Sequence, residues 1–324
     1  MKIVSVIREF FHELYCMNFA DEYIGRKNYH IKAIDHRVNI YEYHPELIAG
    51  YSSHLYNGQP NNLGDSLGKE IIKYLLDKKG IDINVWIHKR KHFFCVGSNI
   101  IGGRDSGIYH NATIWGSGVM FSPGRLRYYL QKFSRRKLDI RAVRGPLTRE
   151  VLQELGHHCP EVYGDPAILM PLLYTPLENV GKRRKNCVIC QFYHEKKFRE
   201  DHPTEYVISM NTDDYRKVID EIVSSEIVYS SSLHGIILAE TYGVPAVFFR
   251  GLSKEIDFKY NDWYQSTGRY DVRLSDSFQQ ALSEIPPPLP DLSTLQKGLL
   301  DTFPYDLWDE KNMEYNVCNC ILLK

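Results

Sequence analysis

Two rhythms of apolar and polar positions run along the chain. Short apolar runs that stop at glycine or serine read as strands, and stretches with apolar residues three and four apart read as helices. From about Asp65 to Lys78, Leu67, Ile71, Ile72, Leu75 and Leu76 recur on one helical face. The apolar runs Phe93–Val96 and Thr113–Trp115 end in the small-residue turns Gly97-Ser98-Asn99 and Gly116-Ser117-Gly118. Leu138–Val143 is a further strand, and Arg144-Gly145-Pro146 opens a helix that Gly156 stops. Val162-Tyr163-Gly164-Asp165-Pro166 closes this half. Pro171 to Lys185, with the basic run Lys182-Arg183-Arg184-Lys185, reads as a linker. The same rhythm then restarts, with strands at Cys187–Phe192 and Tyr206–Met210, a helix over Asp213–Ser224, a strand over Ile227–Tyr229 and another over Val247–Phe249. After Pro286-Pro287-Pro288 the pattern predicts terminal helices, whereas residues 1–50 show no usable period.

This alternation predicts an α/β protein of two Rossmann-like domains with a cleft between them. The expected boundaries are 1–175 for an N-terminal domain, 186–285 for a C-terminal domain, and 286–324 for a helical extension packing back on the N-terminal domain. In parallel sheets ligands bind beyond the carboxyl ends of the strands, so the turns there are where chemistry is sought.

Composition narrows the picture only slightly. Lys and Arg total 40, as do Asp and Glu, which gives no argument for a nucleic-acid partner. Charge interrupts the first residues too soon for a signal-peptide core, and no apolar run reaches the length of a membrane span. A cytoplasmic protein is expected. Seven scattered cysteines fit reduced thiols. Cys187-Val188-Ile189-Cys190 lies within a predicted strand and has no second pair at zinc-finger spacing, so no metal is assigned.

The most informative stretch is the strand Ile227–Tyr229, the turn Ser230-Ser231-Ser232-Leu233-His234-Gly235 and the helix that follows. A helix N-terminus at a strand's carboxyl end suits a phosphate or carboxylate. His234 reads either as an anion ligand and proton donor or as a residue that merely packs at a helix start. Asn61, Asn62 and Asp65 either cap a helix or present hydrogen-bonding groups to a polar ligand. Gly116 and Ser117 belong to a turn where backbone can approach a ligand closely. Arg144 lies beside a helix N-terminus, either binding an anion in bidentate fashion or forming a salt bridge.

Six motifs occur in order: Asn61-Asn62-Leu63-Gly64-Asp65, Trp115-Gly116-Ser117-Gly118, Arg141-Ala142-Val143-Arg144-Gly145-Pro146, Gly164-Asp165-Pro166, Ser230 to Gly235, and Tyr242-Gly243-Val244-Pro245. Together they resemble the polysaccharide pyruvyltransferase family from about Tyr51 to Trp263. The resemblance implies a fold similar to glycosyltransferase-B enzymes. It also implies an activity that uses phosphoenolpyruvate, as co-substrate and without other cofactor, to place a pyruvate ketal across two sugar hydroxyls. The implied acceptor is a surface polysaccharide or its polyprenyl-linked precursor, galactose being the first sugar to test, and a lipid-linked acceptor implies peripheral contact with the inner membrane face. His234 aligns with the family's catalytic histidine, and Ser231, Ser232, Leu233, His234 and Gly235 with its phosphoenolpyruvate turn. Ser232 stands where many members carry arginine, so Arg144, Arg250 or Lys259 is expected to supply the missing cation. Asn61, Asn62, Asp65, Gly116 and Ser117 are assigned to the acceptor, with Asp65 also orienting or deprotonating its hydroxyl. Two alternatives stay open: a sugar-nucleotide glycosyltransferase on the same architecture and a non-catalytic glycan-binding protein.

Overall fold

The computed structural model describes residues 48–49, 62–81, 92–98, 100, 112–120, 137–176, 184–251 and 257–308. Four strands, β1 (Ile48–Ala49), β2 (His92–Phe94), β3 (Ala112–Trp115) and β4 (Leu138–Ala142), form a parallel sheet in sequential order. Helix α1 (Leu63–Asp77) crosses from β1 to β2, and α2 (Pro146–Glu154) follows β4. A 3-10 segment, Pro166–Leu172, ends this half. The second parallel sheet comprises β5 (Arg184–Ile189), β6 (Val207–Ile208), β7 (Ser225–Ser230) and β8 (Ala246–Phe248) in the order β6-β5-β7-β8. The helices after β5 are α3 (Glu195–Asp201), α4 (Tyr215–Val223), α5 (Leu233–Thr241), α6 (Phe258–Ser266), α7 (Phe278–Ala281) and α8 (Ser293–Asp301). Parallel strands joined by helical crossovers establish the α/β class.

Each helix follows from local chemistry. Pro146 occupies the first turn of α2, and Asp214 accepts a hydrogen bond from the Lys217 N–H to cap α4. Helix α5 differs from the amphipathic α1: Leu233 through Glu240 are all buried, so it is enclosed by protein on every side.

Several predicted boundaries shift. Strand β5 begins at Arg184 rather than Cys187, because two residues of the basic run enter the ladder and Arg184 lies 3.7 Å from the Tyr206 ring centroid. The expected linker is likewise shorter, since Pro166–Leu172 is packed against α1, α5 and α8. Cys187 and Cys190 are core residues, and burial pushes the Cys190 thiol up to about 12.

One buried cluster runs from α1 through the 3-10 segment into α5, α6 and α8, linking both sheets. The segment after Pro288 is fastened to the first sheet: the Trp115 indole N–H donates to the Leu299 carbonyl at 2.9 Å, and Phe303 packs edge-on against Trp115 at 4.9 Å. Among the described residues no helix is long and apolar enough to cross a membrane.

Candidate functional site

The turn after β7 is built by its first serine. Ser230 Oγ donates to the Ile189 carbonyl at 3.0 Å and accepts the Ser232 N–H at 3.0 Å, which bends the chain directly into α5. A side chain at Gly235 would meet that hydroxyl, its Cβ falling 2.4 Å away, so glycine lets α5 sit tightly on the strand end. Ser231 Oγ accepts from the Gln191 N–H at 3.1 Å, and its carbonyl accepts from the Tyr260 hydroxyl at 2.7 Å. Ser232 is half-buried at the N-cap and makes no side-chain cap, leaving the first-turn N–H groups of α5 without their commonest competitor for an anion.

His234 projects from that first turn into the seam between the two halves. A Cβ on Gly64, in the first turn of α1, would lie 2.1 Å from His234 Nδ1, so the imidazole occupies space that only glycine leaves. On its other side, Nε2 lies 3.6 Å from Asp165 Oδ2. Asp165 is fully buried, and its Oδ1 accepts the Ala167 N–H at 3.1 Å to cap the 3-10 turn. Neither Asp165 Oδ2 nor His234 Nε2 has a hydrogen-bond partner among the described residues. A buried carboxylate facing a histidine, with one polar atom on each unsatisfied, marks a functional site more often than a structural one.

The N-terminus of α1 is drawn to the same place. Asn62 forms an antiparallel bridge with Asn211, and the Leu63 N–H donates to the Met210 carbonyl at 2.8 Å. Asn62 is thus beside the His234 seam. Asp65 lies one turn into α1; its side chain, like all of Asn61, lies outside the described residues.

Other expected contacts are placed differently. Arg144 is fully buried, with Nε donating to Asp262 at 2.9 Å, another nitrogen to the Val119 carbonyl at 2.7 Å and a third to Ser98 Oγ. Its guanidinium therefore joins β4 to α6 and presents no open face to a ligand. Gly116 and Ser117 are buried too. Gly116, at φ +79°, packs where a Cβ would strike the Pro166 ring at 2.4 Å, and Ser117 donates to the Gly97 carbonyl. This turn supports Asp165 from beneath instead of lining an acceptor surface, because sheet and turn close on each other there.

Arg250 stands at the end of β8, paired with Asp257 at 2.6 Å and with Asp276 at 3.3 Å. The Asp257 hydrogen bond, ahead of the other causes, holds its guanidinium above the ordinary value. Gly251, the next residue, approaches Ser231 and His194. Lys259 begins α6 with its ammonium 5.0 Å from the Tyr260 ring centroid. Of the three cations, Arg250 and Lys259 retain some exposure while Arg144 has none. Reading the sequence missed Asp165 and Gly64 as site residues. Both lie inside the ordered motifs, but nothing in a linear string says which motif residue meets the histidine.

Residues 62–251 match the profile described as Polysaccharide pyruvyl transferase. The chain belongs to the polysaccharide pyruvyl transferase family. The matched span takes in every residue of the seam, from Asn62 and Gly64 through Asp165 to His234. Membership supports a transferase, and pyruvyl transfer to a polysaccharide is the activity the family suggests. An uncharacterized protein of Acanthamoeba polyphaga mimivirus is 25% identical over 217 residues, covering 64% of this chain and 71% of its own length. The crystal structure of a functionally uncharacterized protein from Klebsiella pneumoniae subsp. pneumoniae NTUH-K2044 is similar at a TM-score of 0.45 and 17% identity, covering 67% of this chain and 90% of that one.

Proposed function

We propose that this member of the family transfers the pyruvyl group of phosphoenolpyruvate to two hydroxyls of one sugar, forming a cyclic ketal and releasing inorganic phosphate. The observation that carries the reading is His234, held at an uncapped helix N-terminus and facing a buried carboxylate. We read the two sheets as the domains 1–175 and 186–285 of a glycosyltransferase-B-like arrangement, a division that their separate strand orders support.

Phosphoenolpyruvate carries two anionic groups. The α5 N-terminus, the Ser231–Gly235 backbone and Arg250 or Lys259 form the electropositive side of the site. Protonation of the enol methylene by His234 makes the adjacent carbon electrophilic. One sugar hydroxyl adds to that carbon and loses its proton. The second hydroxyl then displaces phosphate, which carries off its proton, so the sum is phosphoenolpyruvate plus a diol giving ketal plus hydrogen phosphate, with no redox partner. A placed general acid contributes roughly 10²–10⁴-fold to such a step. Asn61, Asn62 and Asp65, at the start of α1, are the proposed acceptor side, with galactose the first sugar to test. A polyprenyl-linked acceptor would bring the protein to a membrane surface.

The test is incubation with phosphoenolpyruvate and a panel of acceptor glycans. Stoichiometric phosphate release with a gain of one pyruvyl unit by mass spectrometry is expected. Thermal protection by nucleotide sugars but not by phosphoenolpyruvate would overturn the reading in favour of glycosyl transfer.

A further inference from the structure

We infer that Asp165 is a positioning residue that fixes the tautomer of His234, making Nδ1 the nitrogen that exchanges a proton with substrate. The inference rests on the reading of His234 as the acid and adds a residue and an atom to it.

The carboxylate of Asp165 does more than its local turn requires. Capping the 3-10 segment uses Oδ1 alone, and a neutral asparagine or serine would serve that purpose equally. A fully buried carboxylate instead leaves Oδ2 without a partner among the described residues. The group that faces it is His234 Nε2, 3.6 Å away and likewise unpartnered among them. Closing that gap by less than about 1 Å makes a charge-assisted hydrogen bond that satisfies both atoms.

A carboxylate only accepts, so Nε2 must carry a hydrogen in this pair. In the neutral ring Nδ1 then holds the lone pair; in the charged ring Nδ1–H is the proton free to leave. Nδ1 packs against Gly64 at the start of α1, and the His234 side chain keeps 10% of its surface exposed. The proton passes from Nδ1 to the methylene carbon of the donor. The ring is left neutral with Nε2–H still on Asp165, and the proton lost by the first sugar hydroxyl recharges Nδ1. The proton of the second hydroxyl leaves with phosphate, so protons balance over the cycle while Asp165 neither gains nor loses one.

The test is ¹⁵N NMR of the histidine side chains, with His234 assigned by the signal lost in His234→Gln. In the wild-type protein the expected neutral form is Nε2–H. Asp165→Asn keeps an oxygen for the Ala167 N–H but can turn an NH₂ toward Nε2, so the signal should move to the Nδ1–H form. In the transfer assay the same variant should lose about a hundredfold or more in kcat, with the KM for phosphoenolpyruvate nearly unchanged and the melting temperature retained. A wild-type His234 in the Nδ1–H form overturns the inference without any variant. So does an Asp165→Asn protein whose tautomer and kcat match the wild type, or one that loses only melting temperature. Absence of pyruvyl transfer in the wild type would remove the reaction but leave the tautomer measurement to decide the pairing.

Discussion

Two buried pairs join the first half of the chain to the second, and they are unlike in one respect. Arg144 at the end of β4 meets Asp262 on α6 at 2.9 Å. Both Asp262 oxygens are used, Oδ1 by the Thr148 N–H and Oδ2 by Arg144 and the Thr148 hydroxyl. Asp165 and His234 face each other at 3.6 Å, and each keeps an unsatisfied atom among the described residues. Each guanidinium nitrogen and each carboxylate oxygen of the first pair has a partner, and the pair acts as a strut. The second leaves one polar atom on each side without a partner among the described residues, beside a helix N-terminus that has no side-chain cap. Satisfaction of polar atoms, more than burial or charge, separates the Arg144–Asp262 pair from the Asp165–His234 pair.

That contrast can be broken in several ways. The largest effect is expected from His234→Gln, which should lower ketal formation by about 10²–10⁴-fold with an unchanged unfolding curve, read by phosphate release and urea titration. Next comes the strut. Asp262→Ala should cost about 3–5 kcal/mol in urea unfolding by stranding Arg144, whereas Arg144→Met with Asp262→Leu should restore much of that loss. Wild-type stability in Asp262→Ala would show that the strut carries nothing. A subtler probe is Gly64→Ala, whose methyl lands 2.1 Å from His234 Nδ1. A misplacement on the order of 1 Å costs about 10²-fold in rate, so kcat should fall while secondary structure by circular dichroism persists.

The smallest effect concerns Cys190, which burial raises from about 9 to about 12. A raised acid is protonated in both states below its unfolded value, so its contribution is constant there. It is lost progressively as pH rises from about 9 to about 12, where only the unfolded thiol ionises. Urea midpoints from pH 7 upward should decline less steeply above pH 9 in Cys190→Ala. Equal slopes would mean that the end of β5 is wet.

Much of the architecture was legible in the chain. The fully buried β3 and β8 were legible as continuous apolar runs, and β4 was legible through its alternation of Leu138, Ile140 and Ala142 with Asp139 and Arg141. The edges of β5 and β6 were not, since Arg184 stacks on Tyr206 and a two-residue edge strand has almost no pattern. In the site, His234 stood out through its strand-turn-helix setting. Arg144 read as either an anion ligand or a salt-bridge partner, and it is paired with Asp262, 118 residues away. Charge at a strand end is visible in sequence, but the partner that neutralises it is not.

The sequence by itself determined the two αβ rhythms, the serine-histidine turn and membership of the family, because each depends on residues close together or on an ordered set of motifs. The tertiary structure alone brought Gly64, Asp165 and His234 together and enclosed Arg144 against Asp262. Those arrangements depend on which buried polar atoms find partners. Such partners come from distant segments brought together only when the two sheets share a core.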